Sequence, residues 1–341
     1  DVDGGVSRLR RMPLAGGDIT DIALPVDGTI EQWTDGADGT VLLTLVSWTT
    51  SARLYRCDVA AGTVGDTGWL APSTVDFSDI EVRDVRVRAR DGVEVPLSIM
   101  HRKGIELDGS HRLLLGGYGS YGLTQACAFR PEMLAWYERG GVFALARVRG
   151  GGDFGHEWHL AGRRSTKINT ITDFIDCAED LVSSGYTEPG RLAGEGTSAG
   201  GIPTGGALVR RPDLFGAMVM RVPSTNRTRM EFSEGGPANV PEFGSVTVEE
   251  ELHDLLVMDA YQRVEDGVAY PPVLLTTGLH DPRVAAWVPA KTAARLQAAG
   301  SPNVVLLRVD PHSGHGFGST LAQRNELQAD VFAFLLSQLA A

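Results

Sequence analysis

The chain has 341 residues, 43% of them hydrophobic, enough for one large domain or two ordinary ones around a sizeable core. Its 31 basic and 43 acidic side chains give a formal net charge of -12, which argues against nucleic acid and anionic membrane as partners. No apolar run reaches the roughly 18 residues that span a bilayer, and Cys57, Cys127 and Cys177 are too few and too scattered for a disulfide framework or a zinc site. The first residue is Asp, with no apolar leader after it, so the start reads as processed or truncated. The expected setting is soluble, cytoplasmic or periplasmic.

Residues 1–75 form one predicted unit and residues 76–341 another. In the first, Thr40 to Trp48 and Ser51 to Val59 are β-rich runs with Thr49-Thr50 between them, flanked by turns at Asp38-Gly39 and Ala61-Gly62. Short antiparallel strands at this spacing suit a sandwich or a propeller blade, although some seventy residues cannot close a propeller. The segment is either the end of a larger β-domain or a small β-appendage.

From about Glu81 the pattern changes. Val82 to Ala89 and Val93 to His101 flank Asp91-Gly92 and predict a hairpin. Strands then follow at Arg112 to Leu115, Val142 to Val148, Arg191 to Ala193, Ala217 to Val222, Val273 to Thr277 and Val304 to Val309. Between and after them, helices are expected at Pro131–Arg139, Ile171–Ser184, Ile202–Arg210, Glu249–Val264, Val288–Ala299 and Leu321–Leu339. Near-continuous apolar strands alternating with helices predict an α/β fold, a mostly parallel sheet with helices on both faces. Active sites of such sheets lie at the carboxyl ends of the strands.

One stretch sits where that rule points. Glu195-Gly196-Thr197-Ser198-Ala199-Gly200-Gly201 joins a strand to a helix, with a serine two residues from a glycine on either side, the pattern of a nucleophile elbow. Two later loops, each after a predicted strand, contain the partners a serine nucleophile needs, in the order acid then base. Asp281, in Gly278-Leu279-His280-Asp281-Pro282-Arg283, is the candidate orienting carboxylate. His315, in Pro311-His312-Ser313-Gly314-His315-Gly316, is the candidate base, preferred over His280 and His312. A metal reading of His280, Asp281, His312 and His315 leaves the elbow unexplained. No metal or cofactor is expected.

An oxyanion hole needs two donors. The backbone N–H of Ala199 is one candidate, and the loop Gly116-Gly117-Tyr118-Gly119-Ser120-Tyr121-Gly122 supplies the other, with the Tyr118 phenol as a donor. That loop also matches G-x-G-x-x-G at Gly117, Gly119 and Gly122. No clean helix opens after it and no acidic residue ends the following strand, so a dinucleotide site is disfavoured.

These residues resemble the prolyl oligopeptidase family of serine hydrolases. The resemblance rests on Val93-Glu94-Val95-Pro96-Leu97, on Gly117-Tyr118-Gly119, and on Arg149-Gly150-Gly151-Gly152-Asp153-Phe154-Gly155 with Trp158-His159. It continues through Gly185-Tyr186-Thr187, the elbow, Arg211-Pro212-Asp213-Leu214-Phe215-Gly216 and the two loops carrying Asp281 and His315, over roughly residues 80 to 341. It implies an α/β-hydrolase domain with Ser198, Asp281 and His315 as triad and Tyr118 with Ala199 as oxyanion hole. It also implies that Arg283 binds a substrate carbonyl, and that residues 1–75 are the end of a β-propeller. The elbow departs from the family pattern at Thr197 and Ala199. Asn239 stands where prolyl-specific members have a tryptophan that stacks on the substrate proline, so a proline preference is not implied.

The leading expectation is a serine hydrolase that cleaves a peptide or ester bond through an acyl-enzyme at Ser198. Two alternatives are a carboxylesterase acting on small acyl esters and a non-catalytic binding protein on a hydrolase fold. The expected partner is a small ester or short peptide, with self-association or association with a propeller portion as further options.

Overall fold

The computed structural model describes residues 2–316 and 318–340. After two short strand pairs within residues 2–22, four strands form an antiparallel meander in chain order: β1 (Thr29–Asp35), β2 (Thr40–Val46), β3 (Arg53–Asp58) and β4 (Thr63–Asp66). Leu43, Leu45, Tyr55 and Cys57 on the two inner strands cover a small core with Ile22. Sequence reading finds only β2 and β3. The flanking strands are solvated along most of their length and carry little hydrophobic pattern.

A sheet of eight strands follows. It comprises β5 (Ile80–Arg88), β6 (Glu94–Arg102), β7 (Leu113–Gly117), β8 (Val142–Ala146), β9 (Leu192–Thr197), β10 (Ala217–Arg221), β11 (Val273–Gly278) and β12 (Val305–Asp310). The spatial order is β12-β11-β10-β9-β7-β8-β6-β5, parallel from β12 to β8, with the expected hairpin β5–β6 added antiparallel. Period-2 alternation sorts the side chains of the central strands. Leu113, Leu115, Met218, Met220, Val273 and Leu275 enter one apolar cluster, while Leu114, Ala217, Val219 and Leu274 enter the other.

Helices seal both faces. On the first lie α1 (Ile168–Ser183), α2 (Gly201–Arg210), α3 (Glu249–Met258) and α4 (Trp287–Ala298), which send Phe174, Ile202, Leu255 and Leu296 into the core. On the second, α5 (Leu321–Gln338) packs Phe332 on Trp136 and buries Val331 and Leu335. Truncating a fully buried leucine such as Leu115 to alanine costs about 2–5 kcal/mol.

Two helix expectations need correction. The helix expected over Glu249–Val264 ends at Met258, because the buried Asp259 leaves helical backbone and accepts from Asn226 Nδ2, Thr228 Oγ1 and two backbone N–H groups. The one expected over Pro131–Arg139 is a 3-10 turn, Pro131–Met133, followed by the short helix Leu134–Tyr137. The β-rich region is joined to the sheet by direct contacts. Thr29 Oγ1 accepts from Cys127 N–H at 2.9 Å, and Trp48 meets Phe143 edge-on. Among the described residues no helix is long and apolar enough to cross a membrane.

Candidate active site

Strand β9 ends at Thr197, α2 begins at Gly201, and the turn Ser198–Gly200 between them reverses the chain at the carboxyl edge of the sheet. Ser198 takes φ 57°, the left-handed region that costs a non-glycine residue about 1–2 kcal/mol. The flanking glycines make that turn possible. A Cβ on Gly196 would lie 2.2 Å from the Gly200 carbonyl oxygen, and one on Gly200 would lie 2.7 Å from that of Gly117. Tyr121 and Val222, at φ 61° and 42°, are strained beside the same turn. Strain gathered around one hydroxyl is the mark of an over-determined functional site.

The two downstream loops converge on that serine. His315 Nε2 lies 2.9 Å from Ser198 Oγ, and His315 Nδ1 lies 2.6 Å from Asp281 Oδ2. The Asp281 carboxylate is wholly buried, and its other oxygen accepts from the backbone N–H groups of Arg283 and Val284. With the Nδ1–H donating to Asp281 Oδ2, Nε2 is the acceptor that faces the serine hydroxyl. The loops are also tied to each other, since His280 N–H donates to Ser313 O and Leu279 N–H to Asp310 O. His280 and His312 are exposed. Among the described residues no three His, Cys, Asp or Glu side chains converge to hold a metal ion.

On the far side of the serine, Tyr118 follows directly after β7. Its phenol hydrogen-bonds with Ser198, and burial pushes its pKa above the usual tyrosine value, keeping it a protonated donor. Ala199 is buried within the turn, directly after Ser198. The glycine-rich loop is set by packing. A Cβ on Gly119 would fall 2.5 Å from Thr170 and Val148, and no helix opens before Pro131.

The loop is held from beneath by groups that sequence reading missed. The fully buried Lys167 donates to Gly119 O, Ser120 Oγ and Gly162 O. Glu242 accepts from Tyr121 N–H at 2.7 Å, with its other oxygen 2.8 Å from His159 Nε2. Apart from the local contact with Gly162, these partners are 47 to 121 residues apart in the chain, so no local spacing announces them.

Two cavities lie at the triad, the larger one reaching His315 and the smaller one Ser198. One, of about 900 Å³, lies between the carboxyl ends of β9–β12 and α5, and His315, Gly314 and Arg221 line it. In its wall, Arg221 joins Glu195 to Gln328; burial alone would push the Glu195 carboxyl up, but Arg221 and Arg130 hold it below the usual range. The other, of about 200 Å³, is lined by Ser198, Ala199, Tyr121, Asn239, Arg283 and Arg227. Asn239 accepts from the Tyr121 hydroxyl and donates to Gly235 O, so its amide is oriented from both ends. Arg227, which sequence reading passed over, is a buried guanidinium in this cavity.

A sheet of this topology, with a strained serine after a central strand and a histidine–aspartate pair on later loops, defines a serine hydrolase of the α/β-hydrolase class. Comparison with known proteins narrows the class. The chain belongs to the prolyl oligopeptidase family, whose model matches residues 127–341. It is 33% identical over 296 residues to the dual function macrocyclase-peptidase POPB of Amanita bisporigera, covering 82% of this chain and 40% of that protein. It is 32% identical over 251 residues to the prolyl endopeptidase of Elizabethkingia miricola, covering 73% and 36%. Among solved structures, a prolyl endopeptidase superposes with TM-score 0.94 at 33% identity, covering 99% of this chain and 50% of the other. Oligopeptidase B from Leishmania major gives 0.88 at 27% identity, covering 98% and 49%. The chain thus spans less than half the length of these curated relatives.

Proposed function

We propose that this chain is the catalytic part of a serine peptidase that cleaves peptides through an acyl-enzyme at Ser198. The observation behind this reading is the line Ser198–His315–Asp281, at 2.9 and 2.6 Å, starting from a hydroxyl that the elbow forces out of the turn. His315 takes the hydroxyl proton as Ser198 Oγ attacks the carbonyl carbon, and the buried Asp281 stabilises the imidazolium. The charge that forms on the carbonyl oxygen is met by the Tyr118 hydroxyl and the Ala199 N–H. His315 then returns the proton to the departing amine, and water repeats the sequence to release the acid. To Arg283, in the lining of the smaller cavity, we assign donation to a substrate carbonyl, and to Asn239 a place in the substrate-facing wall; their shared cavity with Ser198 supports this.

The peptidase names of the relatives favour a peptide over an ester. We read residues 1–75 as a β-unit of propeller type and residues 76–341 as the catalytic unit; the four-stranded meander, which is also the unit of a propeller blade, supports this. A fluorophosphonate probe should label Ser198, and chromogenic peptides should be turned over. Labelling with turnover of p-nitrophenyl esters alone overturns the peptidase half of the proposal. Full activity in Ser198→Ala overturns all of it.

A further inference from the structure

The smaller cavity contains a guanidinium that, among the described residues, has no carboxylate in ion-pair contact. Arg227 is 4% exposed, and its guanidinium stacks on the Phe243 ring at 4.1 Å. One nitrogen, Nη1, donates to Ser224 Oγ at 2.9 Å and to Met230 Sδ at 3.5 Å, and Nε has no hydrogen-bond partner among the described residues. The carboxylates whose charge reaches it make their hydrogen bonds elsewhere. Asp259 accepts from Asn226 and Thr228, Glu231 from Ser245 and Val246, and Glu242 is bonded to Tyr121 and His159. Burial pushes the Arg227 pKa down to about 10, which still leaves it charged at neutral pH. A buried cation with no carboxylate in direct contact is costly, and an anion that arrives from outside would relieve that cost.

The cavity's position says which anion. The leaving amine must depart beside His315, which returns its proton, and His315 lines the large cavity but not the small one. The small cavity, walled by Ser198 and Ala199, therefore lies on the acyl side. Its walls are polar for a site of this size. Asn239, Tyr121 and Ser224 face it, and exposed Arg283 adds positive charge at the rim.

Building on the serine peptidase reading above, we propose that this pocket receives the side chain of the residue whose carbonyl is attacked. Arg227 selects a carboxylate there, so that the chain cleaves after glutamate or aspartate. The incoming carboxylate accepts from the guanidinium that lines the cavity and completes an ion pair that the described residues do not supply. Arg227 is thus a specificity residue rather than part of the proton relay.

The test compares kcat/KM for succinyl-Ala-Ala-X-p-nitroanilides with X as Glu, Asp, Ala, Pro or Lys, alongside fluorophosphonate labelling of Ser198. The acidic substrates should exceed the Ala and Pro ones by about 100-fold, as for charge-assisted bonds to a buried cation. Arg227→Met should bring that ratio to about one, and Arg227→Lys should recover part of it, since a point charge keeps the attraction without the fork. Labelling of Ser198 with an equal or higher rate on Ala or Pro overturns this inference alone, as does an unchanged ratio in Arg227→Met. Absence of labelling overturns the serine peptidase reading as well. The substrate series on the unaltered chain decides the matter even if the methionine variant fails to fold.

Discussion

The two sides of Ser198 are built on opposite plans. Toward His315, the polar atoms of the relay meet partners: imidazole to carboxylate, and carboxylate to two backbone N–H groups. Toward Arg227, a buried guanidinium has one nitrogen without a hydrogen-bond partner among the described residues and donates to a hydroxyl instead of a carboxylate. A satisfied network fixes geometry before substrate arrives, which is what a proton relay requires. An unsatisfied one stores an unmet interaction that only the right substrate relieves, which is what discrimination requires. On the proposed reading, chemistry and selectivity sit in separate networks that share one hydroxyl.

That separation can be broken from either side. Ser198→Ala should lower kcat by about 10⁶-fold and abolish fluorophosphonate labelling, while leaving the fold intact by circular dichroism. Asp281→Asn keeps an oxygen for the Arg283 and Val284 N–H groups but presents the wrong partner to the imidazole. It should cost about 10⁴-fold in kcat, and a loss under tenfold would place Asp281 outside the relay. Tyr118→Phe removes one oxyanion donor and should reduce kcat by about 10²–10³-fold with little change in KM. A rise in KM at constant kcat would instead make Tyr118 a ground-state contact.

The smallest expected effect comes from a control away from the serine. Asp153 and Arg147 are also buried and imperfectly paired, 3.6 Å apart, with an unpartnered Asp153 oxygen. This pair faces no substrate cavity among those described, so its imperfection should register in stability instead of selectivity. Burial raises the Asp153 carboxyl to about 6, above its unfolded value of about 3.9. A group raised in the folded state contributes its stability in full below the unfolded value and loses it as pH rises through the folded one. The urea midpoint of Asp153→Asn should therefore fall less than that of the unaltered chain between about pH 4 and pH 6. Parallel midpoint curves would rule this out, and a changed substrate ratio in this variant would blur the distinction between the two sides.

Much of this was legible in the sequence. The Gly-x-Ser-x-Gly turn announces itself because backbone crowding at Gly196 and Gly200 leaves few residue choices. Asp281 and His315 are readable because they follow buried strands whose continuous apolar runs mark them, and the sheet topology carries loops after parallel strands to one edge. The edge strands β1 and β4 were not readable, since solvent on both sides removes the pattern. Nor were Lys167, Glu242 and Arg227. Each is an ordinary charged residue in a polar stretch, and nothing within ten residues shows that it will be buried.

The sequence alone determined the order of elements, the strained serine and its two partners, because those depend on local sterics and on which strands are apolar throughout. Only the tertiary structure decided which charges are buried and which of them find partners. That depends on segments far apart in the chain, such as 118–122, 224–244 and 281–284, closing around one small cavity. Burial is a property of that closure, and it turns Arg227 from a surface arginine in the sequence into an unmatched charge beside Ser198.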